Sequence, residues 1–203
     1  MTTKTLLAGI SVLIATMAVS ALAQAPKPVR LRGVIEKVDG HTVLATSDKD
    51  APLKLNLVGK ILVVEVVSAS IIDIKDGAYI GSGAMPQPDG SQKAVEVHIF
   101  DESMRGTGEG FRPWDGAARG TMTNGTVGAA VTGVHGPVIT VKYKGGEQKI
   151  VVRPDVPIVR YVISDLGAVK PGAAFSIAAA LRQPDGSYNI SRINVGRDGV
   201  VPR

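Results

Sequence analysis

The sequence predicts an all-β protein made of two tandem small barrels, and three observations lead there. Apolar and polar residues alternate at the period of a strand with one buried face. Turn-forming tripeptides punctuate the chain about every ten residues. Residues 29–100 also match residues 126–197 at an offset of 95 or 96.

The leader, MTTKTLLAGISVLIATMAVSALAQAP, has one early cation at Lys4, an apolar run from Leu6 to Leu22 and the small-x-small triplet Ala21-Leu22-Ala23. That order is a secretory signal peptide, expected at 1–23 with cleavage after Ala23. The run contains Gly, Ser and Thr and lacks a basic stop-transfer cluster, which argues against a membrane anchor. The expected location is therefore the periplasm or the exterior, with no membrane span in the mature chain. Residues 24–28 read as a short N-terminal linker.

No cysteine is present, so a disulfide framework, a thiolate metal site, a cysteine nucleophile and a lipoprotein anchor are all excluded. Stability must come from burial, and the mature chain is long enough for one large or two small cores. Loss of the leader lowers the net charge from +5 to +4, because Lys4 is its one charged residue. The remaining cations are scattered, a pattern that serves solubility and favours weak attraction to anionic surfaces. No aromatic-basic face for nucleic acid is evident.

In the first copy (29–100), Leu53, Leu55 and Leu57 alternate with Lys54 and Asn56, and Val95, Val97 and Ile99 alternate with Glu96 and His98. Gly33 stands where the alternation of Val29 and Leu31 changes phase to Val34 and Val38, a candidate bulge. In the second copy (126–203 with its tail), Phe175, Ile177, Ala179 and Leu181 alternate likewise. The Val-rich runs ILVVEVV and IVRYVI suit a pleated sheet. A single helical turn is expected near SIIDIKDG and SDLGAVKPG. The pentapeptide QPDGS, at Gln87–Ser91 and again at Gln183–Ser187, is the strongest match between the copies. Five or six short strands in about 70 residues suggest an OB-like barrel (oligonucleotide/oligosaccharide-binding), since closure removes exposed edges. An open sandwich spanning both copies is the alternative.

Between the copies, residues 101–125 carry Phe111 and Trp114, and the 21 residues from Arg105 to Gly125 hold six glycines. A flexible tether has little use for such rings, so the segment is expected to fold back and dock them on the barrels. It is also the candidate ligand-binding loop. Arg105 and Arg112 suit phosphate, sulfate or carboxylate; Trp114 with Arg112 and Asp115 suits sugar recognition; Glu109 and Phe111 complete the set. The string GTGEG has the wrong spacing for a dinucleotide fingerprint, and VGKI lacks the phosphate-loop glycine and hydroxyl.

His98, Asp101 and Glu102 form a weaker metal-ligand candidate, because His98 alternates with inward valines and is expected to face solvent. His41 and His135 belong in or beside hairpin turns. No serine-hydrolase elbow or zincin motif is present, no catalytic residue stands out, and no cofactor is implied. The residues lead to a non-enzymatic binding or envelope-associated module whose partner is a small anion, a glycan or an envelope protein. The rival is a metal-handling protein or enzyme using His98 and the nearby carboxylates.

The combination MPQPDGSQKAVEVHIFDESMRGTGEGFRPWD, followed by TMTNGTV, KYKGGEQKIVV and VGRDGVVPR, resembles a family of small exported bacterial proteins of unknown function with OB-like repeats. The likeness spans nearly the whole mature chain. Some relatives carry the label of a metal ABC transporter permease, which this sequence does not support, since no apolar span follows the leader. The resemblance implies export and fold, and it transfers no catalytic residue.

Overall fold

The computed structural model describes residues 27–203 apart from Asp115, Val134 and His135. The expected leader and its cleavage site lie outside the described residues, as do the expected roles of Asp115 and His135. The protein is all-β. Its strands are β1 (Val29–Asp39), β2 (Thr42–Ser47), β3 (Pro52–Ala69), β4 (Tyr79–Pro86), β5 (Gln92–Ile99), β6 (Gly110–Trp114), β7 (Gly120–Gly133), β8 (Gly136–Tyr143), β9 (Gly146–Val151), β10 (Ile158–Ser164), β11 (Ala174–Arg182) and β12 (Tyr188–Gly196). The expected helical turns are single 3-10 turns at Ile71–Asp73 and Leu166–Ala168.

Strands β1, β2, β3, β12 and β11 pair in succession and close a five-stranded barrel, antiparallel except where β12 lies parallel to β3. Leu55, Leu57, Phe175, Ile190 and Ile193 fill it. Strands β7, β8, β9, β5 and β4 follow the same cycle, with β5 parallel to β9 through Gln92–Ile150 and Lys93–Val151. Ile80, Val97, Ile99, Ile139 and Ile150 fill this second cycle. Each such side chain contributes about 1.5–3 kcal/mol on burial, which a chain without disulfides requires.

The membership of the two cycles differs from two barrels in tandem. The first takes β1–β3 from residues 29–100 but β11 and β12 from residues 126–197; the second takes β7–β9 from the later stretch and β4 and β5 from the earlier one. Strand β3 is the physical cause. Its 18 residues span roughly 60 Å of contour, too long for one small barrel, so its second half leaves the first barrel and delivers the chain to the second. That second half pairs antiparallel with β10 from Val63–Ser164 to Ala69–Ile158, with Val66 opposite Tyr161 at the middle. Strand β10 in turn runs parallel to β5, and β3 runs parallel to β12. The order β5-β10-β3-β12 makes a four-stranded saddle joining the two cycles.

The QPDGS turns occupy corresponding places, between β4 and β5 and between β11 and β12. In the first, Gln87 N donates to Ser91 O (2.9 Å) and Ser91 N to Asp89 Oδ1 (3.0 Å); in the second, Gln183 N donates to Ser187 O (2.8 Å) and Ser187 N to Asp185 Oδ1 (3.0 Å). Gly90 and Gly186 take left-handed φ of 82° and 84°, where a side chain would be strained.

Two strand readings need correction. In β11 the inward row is Phe175, Ile177 and Ala180, while Ala179 and Leu181 are exposed. A register shift against β1 between Val29 and Leu31 changes the phase. Gly33 is not itself a bulge; register shifts flank it, at Val29/Leu31 and Ile35/Lys37. It pairs with Phe175 on one side and Ser47 on the other, where a Cβ would run into the carbonyl of Thr46.

Candidate functional site

Residues 101–125 fold against the second barrel. Asp101 caps a 3-10 turn, Glu102–Met104, by accepting from Ser103 N (2.9 Å) and Ser103 Oγ (2.6 Å); these bonds hold its carboxyl below the usual carboxylate range. Arg105 donates to Glu102 Oε2 (2.7 Å), Gly77 O (2.9 Å) and Thr126 Oγ1 (3.1 Å), and lies over the Tyr79 ring at 5.7 Å. Its hydrogen-bonding groups clamp the segment to the barrel and leave little for a ligand. Glu109 Oε1 accepts from Lys144 N (2.9 Å), tying the segment to the β8–β9 turn.

Strand β6 then pairs antiparallel with β7, from Gly110–Asn124 to Trp114–Gly120. Of the two rings expected to dock, Trp114 does and Phe111 does not. The Trp114 ring packs on Gly83 of β4, where a Cβ would lie 2.8 Å away, and on Gly120, at 3.0 Å. Phe100 stands edge-on to Tyr161 with centroids 5.3 Å apart and tilted to Tyr79 at 5.4 Å. Phe111 stays 42% exposed.

The metal candidates are not brought together. His98 is buried rather than solvent-facing, 8% exposed. From Glu96 to Ile99 strand β5 has no wet face: Val97 and Ile99 enter the barrel core, and Glu96 and His98 lie on the saddle side. His98 Nε2 lies 3.1 Å from Glu96 Oε1 and the imidazole stacks on Tyr161 at 5.0 Å, while Asp101 and Glu102 are engaged as above. Among the described residues no group of three or more His, Cys, Asp or Glu is placed to hold a metal ion.

What the fold does bring together is a cleft of about 220 Å³ over the saddle. Its floor carries Glu96 and His98 of β5, Tyr161 of β10, and Arg192 and Asn194 of β12. One wall is Arg30 and Arg32 of β1; the other is Arg112 and Trp114 of β6 with Asn124 of β7; Arg203 completes the rim. Only Arg112 and Trp114 come from the loop candidates. The arginines of β1 and β12 and the acid Glu96 escape a reading by local motif, because they converge from strands far apart in the chain. Their sequence trace is a polar row at period two behind an apolar one, as in Arg30-x-Arg32 and Arg192-x-Asn194.

Electrostatics favours anions there. Glu96 is 5% exposed. Burial pushes its carboxyl up, but the hydrogen bond and charge of His98 and the charges of Arg203 and Arg32 outweigh this and hold it below the usual carboxylate value. Burial raises the Tyr161 hydroxyl, with Glu96 adding to the shift, so the phenol stays protonated and can donate. Burial also lowers the Arg192 pKa, and Arg192 Nε donates to a neutral partner, Asn194 Oδ1, at 3.2 Å. Asn124 donates from Nδ2 to Thr107 O (2.9 Å), while its buried Oδ1 has no hydrogen-bond partner.

No family model, curated protein or solved structure matches the chain.

Proposed function

We propose that the protein is an exported, non-enzymatic binding module whose ligand is an anion held in the saddle cleft. The observation that carries this reading is convergence: arginines from β1, β6 and β12 and from Arg203 line one cleft, where Glu96 is the one carboxylate among the described lining residues. Arg32 and Arg192 are half-buried, and guanidinium groups half-withdrawn from water bind oxyanions far more strongly than exposed ones. The residues that favour binding over catalysis are the same ones. Glu96 is engaged by His98 at 3.1 Å, Tyr161 holds its proton, and no serine, cysteine or lysine stands among the described residues lining the cleft.

The architecture we propose is a pair of OB-like barrels descended from one duplicated unit. The cyclic pairing β1-β2-β3-β12-β11, the parallel closing strand and the 3-10 turn before β11 have counterparts in β7-β8-β9-β5-β4 and the turn before β4. The matching QPDGS turns support duplication, and the resemblance to exported OB-like proteins supports the location. The exported state, periplasmic or secreted, rests on the leader's pattern. N-terminal sequencing of protein recovered from the envelope is expected to begin at Gln24; an intact Met1 there overturns it.

The binding reading is tested by titrating the full chain with phosphate, sulfate, acetate, an acidic sugar and divalent cations, reading fluorescence of Trp114, the chain's one tryptophan. At least one anion is expected to shift the emission, and divalent cations are not. An unresponsive Trp114, with no heat of binding by calorimetry for any anion, removes the proposal.

A further inference from the structure

We infer that the cleft takes a ligand carrying two neighbouring phosphate groups, a diphosphate or a bisphosphate; this rests on the cleft being the ligand site proposed above. The type of cation is the first argument. The chain has twelve lysines and eleven arginines, yet five arginines and no lysine line the cleft. A guanidinium presents a rigid fork of donors that matches the oxygens of a phosphate in pairs, whereas an ammonium acts as a point charge. A surface that merely attracted anions at long range would be served equally by lysine.

Charge density is the second argument. Leaving Arg30 aside, Arg32, Arg112, Arg192 and Arg203 line the cleft with Glu96, whose carboxyl is held below the usual value, and the excess of side-chain charge is three positive charges. A carboxylate supplies one negative charge, and a phosphomonoester supplies about 1.5 to 2 at neutral pH. Two adjacent phosphates therefore neutralise the excess within a cleft of about 220 Å³, while a uronic-acid chain spreads the same charge over three sugar rings. Arg192 adds a third argument: it is half-buried and bonded to a neutral amide, an arrangement whose desolvation cost is recovered when an anion arrives.

Glu96 has a defined part in this site. Its charge is coupled to Arg203 and Arg32, so it acts as a built-in counter-ion with which the incoming phosphate competes. Removing that charge should tighten binding, an outcome that a purely structural carboxylate does not predict.

The shared chemistry, paired phosphate groups, occurs in soluble diphosphates and in lipids whose headgroup is a diphosphate, and the experiment separates them. The full chain is titrated with inorganic pyrophosphate, sulfate and acetate at matched ionic strength, by Trp114 fluorescence and calorimetry. It is also sedimented with vesicles containing farnesyl diphosphate or, separately, phosphatidylglycerol. Pyrophosphate is expected to bind at least tenfold more tightly than sulfate or acetate. Arg32→Ala and Arg192→Met should each weaken it at least tenfold, and Glu96→Gln should tighten it severalfold. Circular dichroism checks each variant's fold, and Arg203→Ala, at an exposed position, gives a readout free of core disturbance. Farnesyl diphosphate vesicles bound in competition with pyrophosphate point to a lipid source; pyrophosphate binding without vesicle binding points to a soluble one. Equal sedimentation with both lipids, unaffected by pyrophosphate, overturns the inference, as does pyrophosphate affinity no better than that of sulfate. If sulfate or an acidic sugar binds in an arginine-dependent way and pyrophosphate does not, the paired-phosphate class falls and the binding site stands. If no anion binds, both fall.

Discussion

Glu96-Val97-His98 on β5 and Arg192-Ile193-Asn194 on β12 occupy corresponding places, 96 positions apart, each on the strand that runs parallel to the saddle. Their middle residues are interchangeable in kind: Val97 and Ile193 are both wholly buried in a barrel core. Their flanking residues have opposite chemistry, an acid and an imidazole on one side, a guanidinium and an amide on the other. Each barrel constrains its inward row by packing, and the outward rows are free to diverge because they meet across a cleft. Had both strands kept the same pair, two acids or two guanidiniums would line one cleft, and their like charges would repel.

The largest effects should come from the middle residues, where the two strands ought to behave alike. Ile193→Ala is expected to destabilise the protein by about 3 kcal/mol, and Val97→Ala by about 2 kcal/mol, through lost transfer energy and the cavity left behind. Urea denaturation measures both; a loss below 1 kcal/mol at either site would break the equivalence of the two cores.

The flanking residues should part company. His98→Phe keeps an aromatic ring over Tyr161 but removes the 3.1 Å contact with Glu96. A loss of about 2 kcal/mol at neutral pH is expected for a buried hydrogen bond to a charged group. The sign with pH follows from Glu96, whose folded pKa lies below the ordinary value of 4.5. Its stabilising contribution is fully present above that value and vanishes as pH falls through the folded pKa. The advantage of the native protein over His98→Phe should therefore shrink on acidification, and urea midpoints from pH 7 to pH 3 would show it.

Arg192→Met should do the reverse. It removes a half-buried charge that faces no carboxylate partner in the described structure and keeps the length of the side chain, so stability should change by less than about 1 kcal/mol, or rise. Anion affinity is expected to fall. A loss above 3 kcal/mol would recast Arg192 as part of the scaffold. The smallest effects belong to the two turns: Asp89→Ala and Asp185→Ala each remove an acceptor from a solvent-exposed loop, and each should cost about 0.5–1 kcal/mol. Unequal costs would show that the turns, alike in hydrogen bonding, carry different loads.

Strand content was legible from alternation because Leu53, Leu55 and Leu57 do sit on one buried face. The turns were legible because QPDGS and the glycines at Gly77 and Gly172 need backbone conformations that few residues supply. The strand exchange was not. When two stretches carry the same pattern, β4 and β5 can pair with either set of first strands, and the choice is made by how far β3 runs before it turns. His98 was misplaced for a related reason: alternation assumes one wet face, and β5 has apolar packing on one side and the saddle on the other. Of the candidate loop, Arg112 and Trp114 reach the cleft, whereas Arg105 and Glu109 spend their polar atoms on the protein itself. Arg32, Arg192 and Arg203 carry no local signature, because a site assembled from strands far apart in the chain is written in the topology.

The passage of β12 beside β3 has a bearing on how the polypeptide matures. The first barrel is sealed by residues 188–196, which are synthesised long after the residues 55–66 that they pair with. No early portion can complete its interior ahead of time, and closure must wait for contacts more than a hundred positions apart, a topology that folds slowly. Until residues 188–196 are available to it, the first barrel stays an open sheet with its apolar face uncovered.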